Sequence, residues 1–213
     1  MDRNQEHLQD IKEIRNMMER STRFLSLSGL SGVFAGLYAL AGVAAGVFIL
    51  NIGMDASPYY RSATQMARFN NYSMYILFVG IGLLVLAASL ITGTLLTLRN
   101  SRKQNTTMWN SASKRLLINL LIPLGAGGFF CLILLYHDNL FLVAPATLIF
   151  YGLALLNASK YTFNDIRYLG ICEIALGLIA SVYVGYGLVF WAIGFGLLHI
   201  LYGISMYNKY EKD

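Results

Sequence analysis

Charge is what this sequence has least of. Only 13% of its 213 residues are Asp, Glu, Lys or Arg, against roughly 25% in an average soluble domain. So little charge cannot clothe a surface that faces water. Cysteine is scarce too. Cys131 and Cys172 both fall in apolar runs, which excludes a disulfide framework and a thiolate metal cage and points to buried structural thiols. There are three histidines and no His-x-x-x-His, Glu-x-x-His or His-Glu-x-x-His pattern. A mononuclear zinc site is thereby disfavoured, and no metal or cofactor is predicted. No Gly-x-Ser-x-Gly elbow and no phosphate-cradling loop are present either.

What the sequence has instead is long apolar runs. A span of the bilayer needs about 20 apolar residues, with a range of about 17 to 25. Six segments qualify, at 24–52, 74–98, 116–136, 140–157, 168–184 and 187–207. None carries the polar stripe of a helix packed in a soluble protein. The predicted fold is all-α: a polytopic membrane protein with a six-helix transmembrane bundle over 24–207. A cytoplasmic amphipathic helix (1–23) precedes the bundle and a short tail (208–213) follows it. The polar stretch of mixed charge before the first run does not read as a signal peptide.

The basic residues give the bundle a side. With six spans, fourteen of the sixteen Lys and Arg fall in segments on one side, and only Arg61 and Arg68 fall on the other. Positive charge collects on the cytoplasmic face, so both termini are predicted inside. The net charge of +5 then reads as a topology signal, with attraction to anionic lipid as a by-product, and not as a mark of nucleic-acid binding. The predicted partner is the lipid bilayer.

In the N-terminal segment, Leu8, Ile11, Ile14 and Met18 recur at helical spacing among charges of both signs. This stripe either packs on the bundle or lies at the headgroups, or it docks a cytoplasmic protein or a second copy of the chain. Arg15, Arg20 and Arg23 are its candidate partner or lipid contacts. The long outer connection, 53–73, carries Tyr59, Tyr60, Phe69 and Tyr72, aromatics suited to the membrane interface.

Helices in lipid associate through close backbone approach. Gly29, Gly32, Gly36, Gly42 and Gly46 in the first run, and Gly196 and Gly203 in the last, are the predicted packing positions. Gly125, Gly127 and Gly128 follow Pro123 and predict a kink or close crossing in the third run.

One acidic residue, Glu173, and one histidine, His199, lie well inside spans. The last two runs form a hairpin about Tyr186. Glu173 precedes that turn by thirteen residues and His199 follows it by thirteen, so the two share a depth. Charge in hydrocarbon costs from about 2.5 kcal/mol upward, so such groups turn inward and find partners. Tyr202, one turn beyond His199, is a third candidate. The arrangement is either structural, a hydrogen-bonded pair or a Glu173 that snorkels to the near headgroups, or functional, a proton relay, ligand site or catalytic pair.

Two stretches, Glu19-Arg-Ser-Thr-Arg-Phe-Leu-Ser-Leu-Ser-Gly-Leu-Ser-Gly32 and Gly194-Phe-Gly-Leu-Leu-His-Ile-Leu-Tyr-Gly203, resemble a family of small bacterial membrane proteins common in Bacteroidetes. That family has a charged N-terminal helix, six spans and no assigned activity. The resemblance implies a bacterial inner-membrane location and supplies no catalytic residues. Three functions stay open. The first is binding or transport of a small solute or protons around Glu173 and His199. The second is a non-enzymatic accessory role through residues 1–23. The third is an intramembrane enzyme, the weakest because a single acid–base pair is visible.

Overall fold

A computed structural model of the chain describes residues 23–49, 72–103, 109–137 and 139–212. The amphipathic stripe with Arg15 and Arg20, and nearly all of the connection 53–73, lie outside the described residues. Six helices and no strand are present among the described residues: α1 (Gly29–Ile49), α2 (Tyr72–Lys103), α3 (Ser111–Tyr136), α4 (Val143–Ala158), α5 (Asp165–Val182) and α6 (187–210). The last is composite. It is α-helical over Gly187–Trp191, π-helical over Ala192–Leu198 and α-helical again over His199–Tyr210.

Five of the six, all but α5, are long and apolar enough to cross a membrane. Helices suit that setting because every interior N–H and C=O finds its partner within the same segment. α5 differs because its eighteen residues include Asp165, Arg167 and Glu173. Its buried residues, Ile166, Leu169, Gly170, Glu173, Gly177 and Ala180, recur at steps of three and four. One face of α5 is therefore inside protein.

α1 packs against α2 and α6, α4 packs against α3 and α5, and α6 joins the two groups through contacts with α4 and α5. The closest crossings are made by glycines. A Cβ on Gly29 would run into the backbone N of Tyr207, and one on Gly36 would lie 2.6 Å from the Gly196 carbonyl oxygen. Gly203 meets α1 in the same way, 2.6 Å from the backbone N of Val33, and Gly32 lies 3.2 Å from the His199 carbonyl oxygen. The α4–α5 crossing has the same design, with Gly152 and Gly170 each facing the other's carbonyl oxygen, at 2.6 and 2.8 Å.

Two sequence expectations need correction. The first helix begins at Gly29, not at Phe24. Residues 24–28 are non-helical because their backbone bonds elsewhere. The Phe24 N–H donates to the Tyr161 carbonyl at 2.7 Å, and the Thr162 hydroxyl donates to the Phe24 carbonyl at 2.7 Å. The Asn100 amide donates to the Ser26 carbonyl at 3.2 Å. Among the described residues Gly46 is not a close-packing position, since none lies within 4 Å of where its Cβ would be, whereas a Cβ on Gly42 would lie 2.6 Å from Val85 of α2. In α3 the close approach expected of the glycine cluster is made by Gly127, which abuts Phe150, while Gly125 and Gly128 have no neighbour within 4 Å of a Cβ position among the described residues.

The two ends of the fold are tied at the same level. The Glu211 carboxylate accepts from the Gly29 N–H and, at 3.0 Å, from the Ser28 hydroxyl. It thereby places negative charge on the N-terminus of α1, where the helix dipole favours it. Asp165, at the start of α5, accepts from Lys209 at 3.0 Å and from the Tyr210 hydroxyl at 2.6 Å. Partial burial works to raise its carboxyl pKa, but the hydrogen bonds from Tyr210 and Lys209 prevail and hold it below the ordinary value of 3.8.

Candidate functional site

Glu173 sits at the middle of the buried face of α5 and is completely inaccessible to solvent. Two features of α6 make room for it. Gly194 lies opposite, where a Cβ would come within 2.5 Å of Glu173 Oε2 and of Leu148 on α4. The surrounding seven residues, Ala192–Leu198, are π-helical, a rare geometry that recurs at functional sites. Within that wide turn the His199 N–H turns to the Gly196 carbonyl. The Gly194 carbonyl instead accepts from the His199 ring, at 3.0 Å from Nδ1.

This contact fixes the state of the ring. A carbonyl oxygen can only accept, so Nδ1 carries a hydrogen. Nε2 lies 2.8 Å from the Tyr151 hydroxyl, which donates to it when the ring is neutral. When the ring is charged the roles reverse, and Nε2–H donates to the hydroxyl oxygen. His199 can thus take up a second proton without moving. Nδ1 also lies 3.4 Å from Glu173 Oε1, an ion-pair distance.

Around this triad the lining is aromatic. The Phe195 ring stacks on His199 with centroids 5.7 Å apart, and it lies 5.0 Å from Tyr151 and 4.9 Å from Trp191. Water is largely excluded, since His199 is 6% exposed. Neither carboxylate oxygen of Glu173 has a hydrogen-bond partner among the described residues. An ionised carboxylate in such a place is strongly penalised unless a cation stands beside it. Two arrangements of one proton satisfy that demand: a neutral acid beside a neutral ring, or a carboxylate beside an imidazolium. Removing the proton leaves a bare negative charge in an apolar shell.

Among the residues singled out in sequence, Glu173 and His199 come together. Tyr202 does not join them. It lies beside Cys172 and against a cluster that includes Leu169 and Met206, and Tyr151 holds the place expected for it. Gly196 lies near the site and packs on Leu40. Gly29, Gly32, Gly36 and Gly203 hold α1 to α6, which fixes α6 and with it His199. Arg23 lies at the start of the described chain and is remote in sequence from the triad. Cys131 and Cys172 are unpaired and only half-buried, not the buried thiols expected. Among the described residues no three His, Cys, Asp or Glu side chains converge as metal ligands.

Sequence reasoning missed Tyr151, Phe195 and the role of Gly194. The signal for Tyr151 was present. It precedes Thr162, at the turn between α4 and α5, by eleven residues, and Glu173 follows Thr162 by eleven. The depth count that paired Glu173 with His199 would have found it. No sequence rule announces the π-helical segment. No protein family, curated protein or solved structure matches the chain.

Proposed function

We propose that this membrane protein takes up and releases a proton at Glu173, His199 and Tyr151, and binds or moves a small solute or the proton itself through that interior. One observation carries the reading. A fully buried carboxyl with no hydrogen-bond partner among the described residues stands 3.4 Å from a histidine whose other nitrogen is held by a tyrosine. A purely structural pair would be expected to satisfy its oxygens. Here the oxygens stay open, and the ring's hydrogen bonds accommodate both protonation states.

The same reading includes six spans with both termini in the cytoplasm of a bacterial inner membrane. Several observations support it. α5 is about 27 Å long at 1.5 Å per residue, close to the roughly 30 Å hydrocarbon core. It joins two apolar helices, α4 and α6, through short turns. The fourteen-to-two division of basic residues holds only if α5 crosses. The resemblance of residues 19–32 and 194–203 to small bacterial membrane proteins supports the compartment.

The test is proton flux into liposomes that hold the purified protein and a trapped pH-sensitive dye, driven by a potassium diffusion potential. Wild type should move protons faster than empty liposomes, and Glu173→Gln should fall to the empty-liposome rate. Equal flux from wild type and Glu173→Gln would remove the pair from any transport mechanism.

A further inference from the structure

Away from the triad, at the end of the bundle where α4 turns into α5, a cleft of about 710 Å³ opens between α3, α4 and the first turn of α5. Its two parts differ in chemistry. One wall is apolar and includes Pro123, Phe150 and Leu153. The mouth carries Lys160, Asn164 and Arg167, all three exposed. No acidic residue lines it. The adjacent acid, Asp165, is turned to Lys209 and Tyr210.

The mouth is also unsatisfied. Among the described residues neither the Lys160 nor the Arg167 side chain has an ion-pair or hydrogen-bond partner. Asn164 stands at the N-terminus of α5 but its side chain does not cap the helix. Asn157, also in the lining, is by contrast committed. Its amide donates to the Asn119 carbonyl at 3.0 Å and holds α3 against α4. The cleft walls are therefore braced while the cations at the rim stay free.

We propose that this cleft binds an anionic phospholipid, with the phosphate on Lys160 and Arg167 and one acyl chain against Pro123, Phe150 and Leu153. Charge complementarity selects the headgroup, because two unpaired cations with no acid among the lining repel a cationic ligand and draw an anionic one. The apolar wall selects a lipid over a free anion. Basic pockets between membrane helices hold acidic headgroups by the same physics, and the guanidinium of Arg167 can grip a phosphate through two parallel hydrogen bonds. The site is independent of the proton reading and would survive its failure.

The test is native mass spectrometry of the detergent-solubilised full chain titrated with phosphatidylglycerol, phosphatidylcholine or inorganic phosphate. Wild type should retain phosphatidylglycerol in preference to phosphatidylcholine. Lys160→Gln with Arg167→Gln should weaken that binding about thirtyfold, from roughly a factor of five per basic residue near a headgroup. Leu153→Trp, which fills the wall and keeps both charges, should also weaken it. Circular dichroism melting confirms that the variants fold, as expected for changes at exposed positions. Undiminished phosphatidylglycerol binding by the folded double variant would overturn the site. So would equal retention of phosphatidylcholine by wild type. Displacement of the lipid by inorganic phosphate alone would overturn its assignment to a lipid.

Discussion

α3 and α4 pack against each other and both are long and apolar, yet they live in different surroundings. Of the most apolar stretch of α3, 6% is buried inside the protein, and of the corresponding stretch around α4, 44%. α2 resembles α3, with none of its most apolar stretch buried. Their glycines tell the same story. Gly80 and Gly82 of α2, and Gly125 and Gly128 of α3, face open space, whereas Gly152 of α4 abuts the backbone of α5. Hydrophobicity therefore does not separate inside from outside in this fold. Lipid is as apolar as leucine, so it supplies little drive to bury leucine. What marks the interior is small residues that let backbones meet and polar residues that need partners. α5, whose eighteen residues include Asp165, Arg167 and Glu173, carries both.

The contrast can be broken most severely at the triad. His199→Ala would leave the Tyr151 hydroxyl and the Gly194 carbonyl without their ring partner, and Glu173 without its neighbouring base. Breaking a buried pair in this way costs about 3–5 kcal/mol, to be read as lost stability in mixed-micelle unfolding. Replacing both Glu173 and His199 by Leu should recover part of the loss, because the buried carboxyl is then gone and only the Tyr151 hydroxyl and the Gly194 carbonyl lack the ring. A double variant no more stable than His199→Ala would show that the packing of these side chains, not their polarity, sustains the site.

A smaller effect separates the two classes of glycine. Gly152→Ala puts a Cβ 2.6 Å from the Gly170 carbonyl oxygen and 2.8 Å from the Ile174 nitrogen, backbone atoms that cannot swing aside. The helices must part, at a cost of about 1–3 kcal/mol. Gly82→Ala meets nothing within 4 Å and should stabilise by up to about 1 kcal/mol through its better helix propensity. The same unfolding assay reads both, and opposite signs are expected. Equal signs would erase the distinction between the central and flanking helices.

The smallest effect lies outside the apolar runs. Asp165→Asn removes the negative charge that faces Lys209 and Tyr210 and one of the two acceptor oxygens. The native carboxyl pKa is depressed, so its contribution is fully present above the ordinary value of 3.8 and disappears as pH falls through the native value. Wild type and Asp165→Asn should differ slightly and constantly near neutral pH and converge below about pH 3.8. A difference that grows on acidification would reverse the sign of this linkage.

Most of the helical order was legible, because apolar runs of spanning length are hard to read any other way. The pairing of Glu173 with His199 was legible from depth, since a tight turn fixes the register of a hairpin. The limits have physical causes. Residues 24–28 look apolar enough to extend α1, but hydrogen bonds from Thr162 and Asn100, distant in sequence, hold them out of the helix. Gly46 and Gly42 share one repeat in sequence, yet among the described residues only Gly42 has a neighbour within 4 Å of its Cβ position. Spacing shows which residues share a face, not whether a helix is there to meet it. Tyr202 shares a helix face with His199, and that spacing alone made it the third candidate. Three-dimensional packing brought in α4 instead.

The central claim is that Glu173 holds an exchangeable proton inside the protein. Infrared difference spectra of wild type and Glu173→Gln, recorded while pH is stepped across the neutral range, test it most directly. The account predicts a protonated-carboxyl carbonyl band or its carboxylate counterpart that changes with pH in wild type and is absent from Glu173→Gln. A wild-type spectrum with no pH-dependent carboxyl signal that Glu173→Gln removes would contradict it.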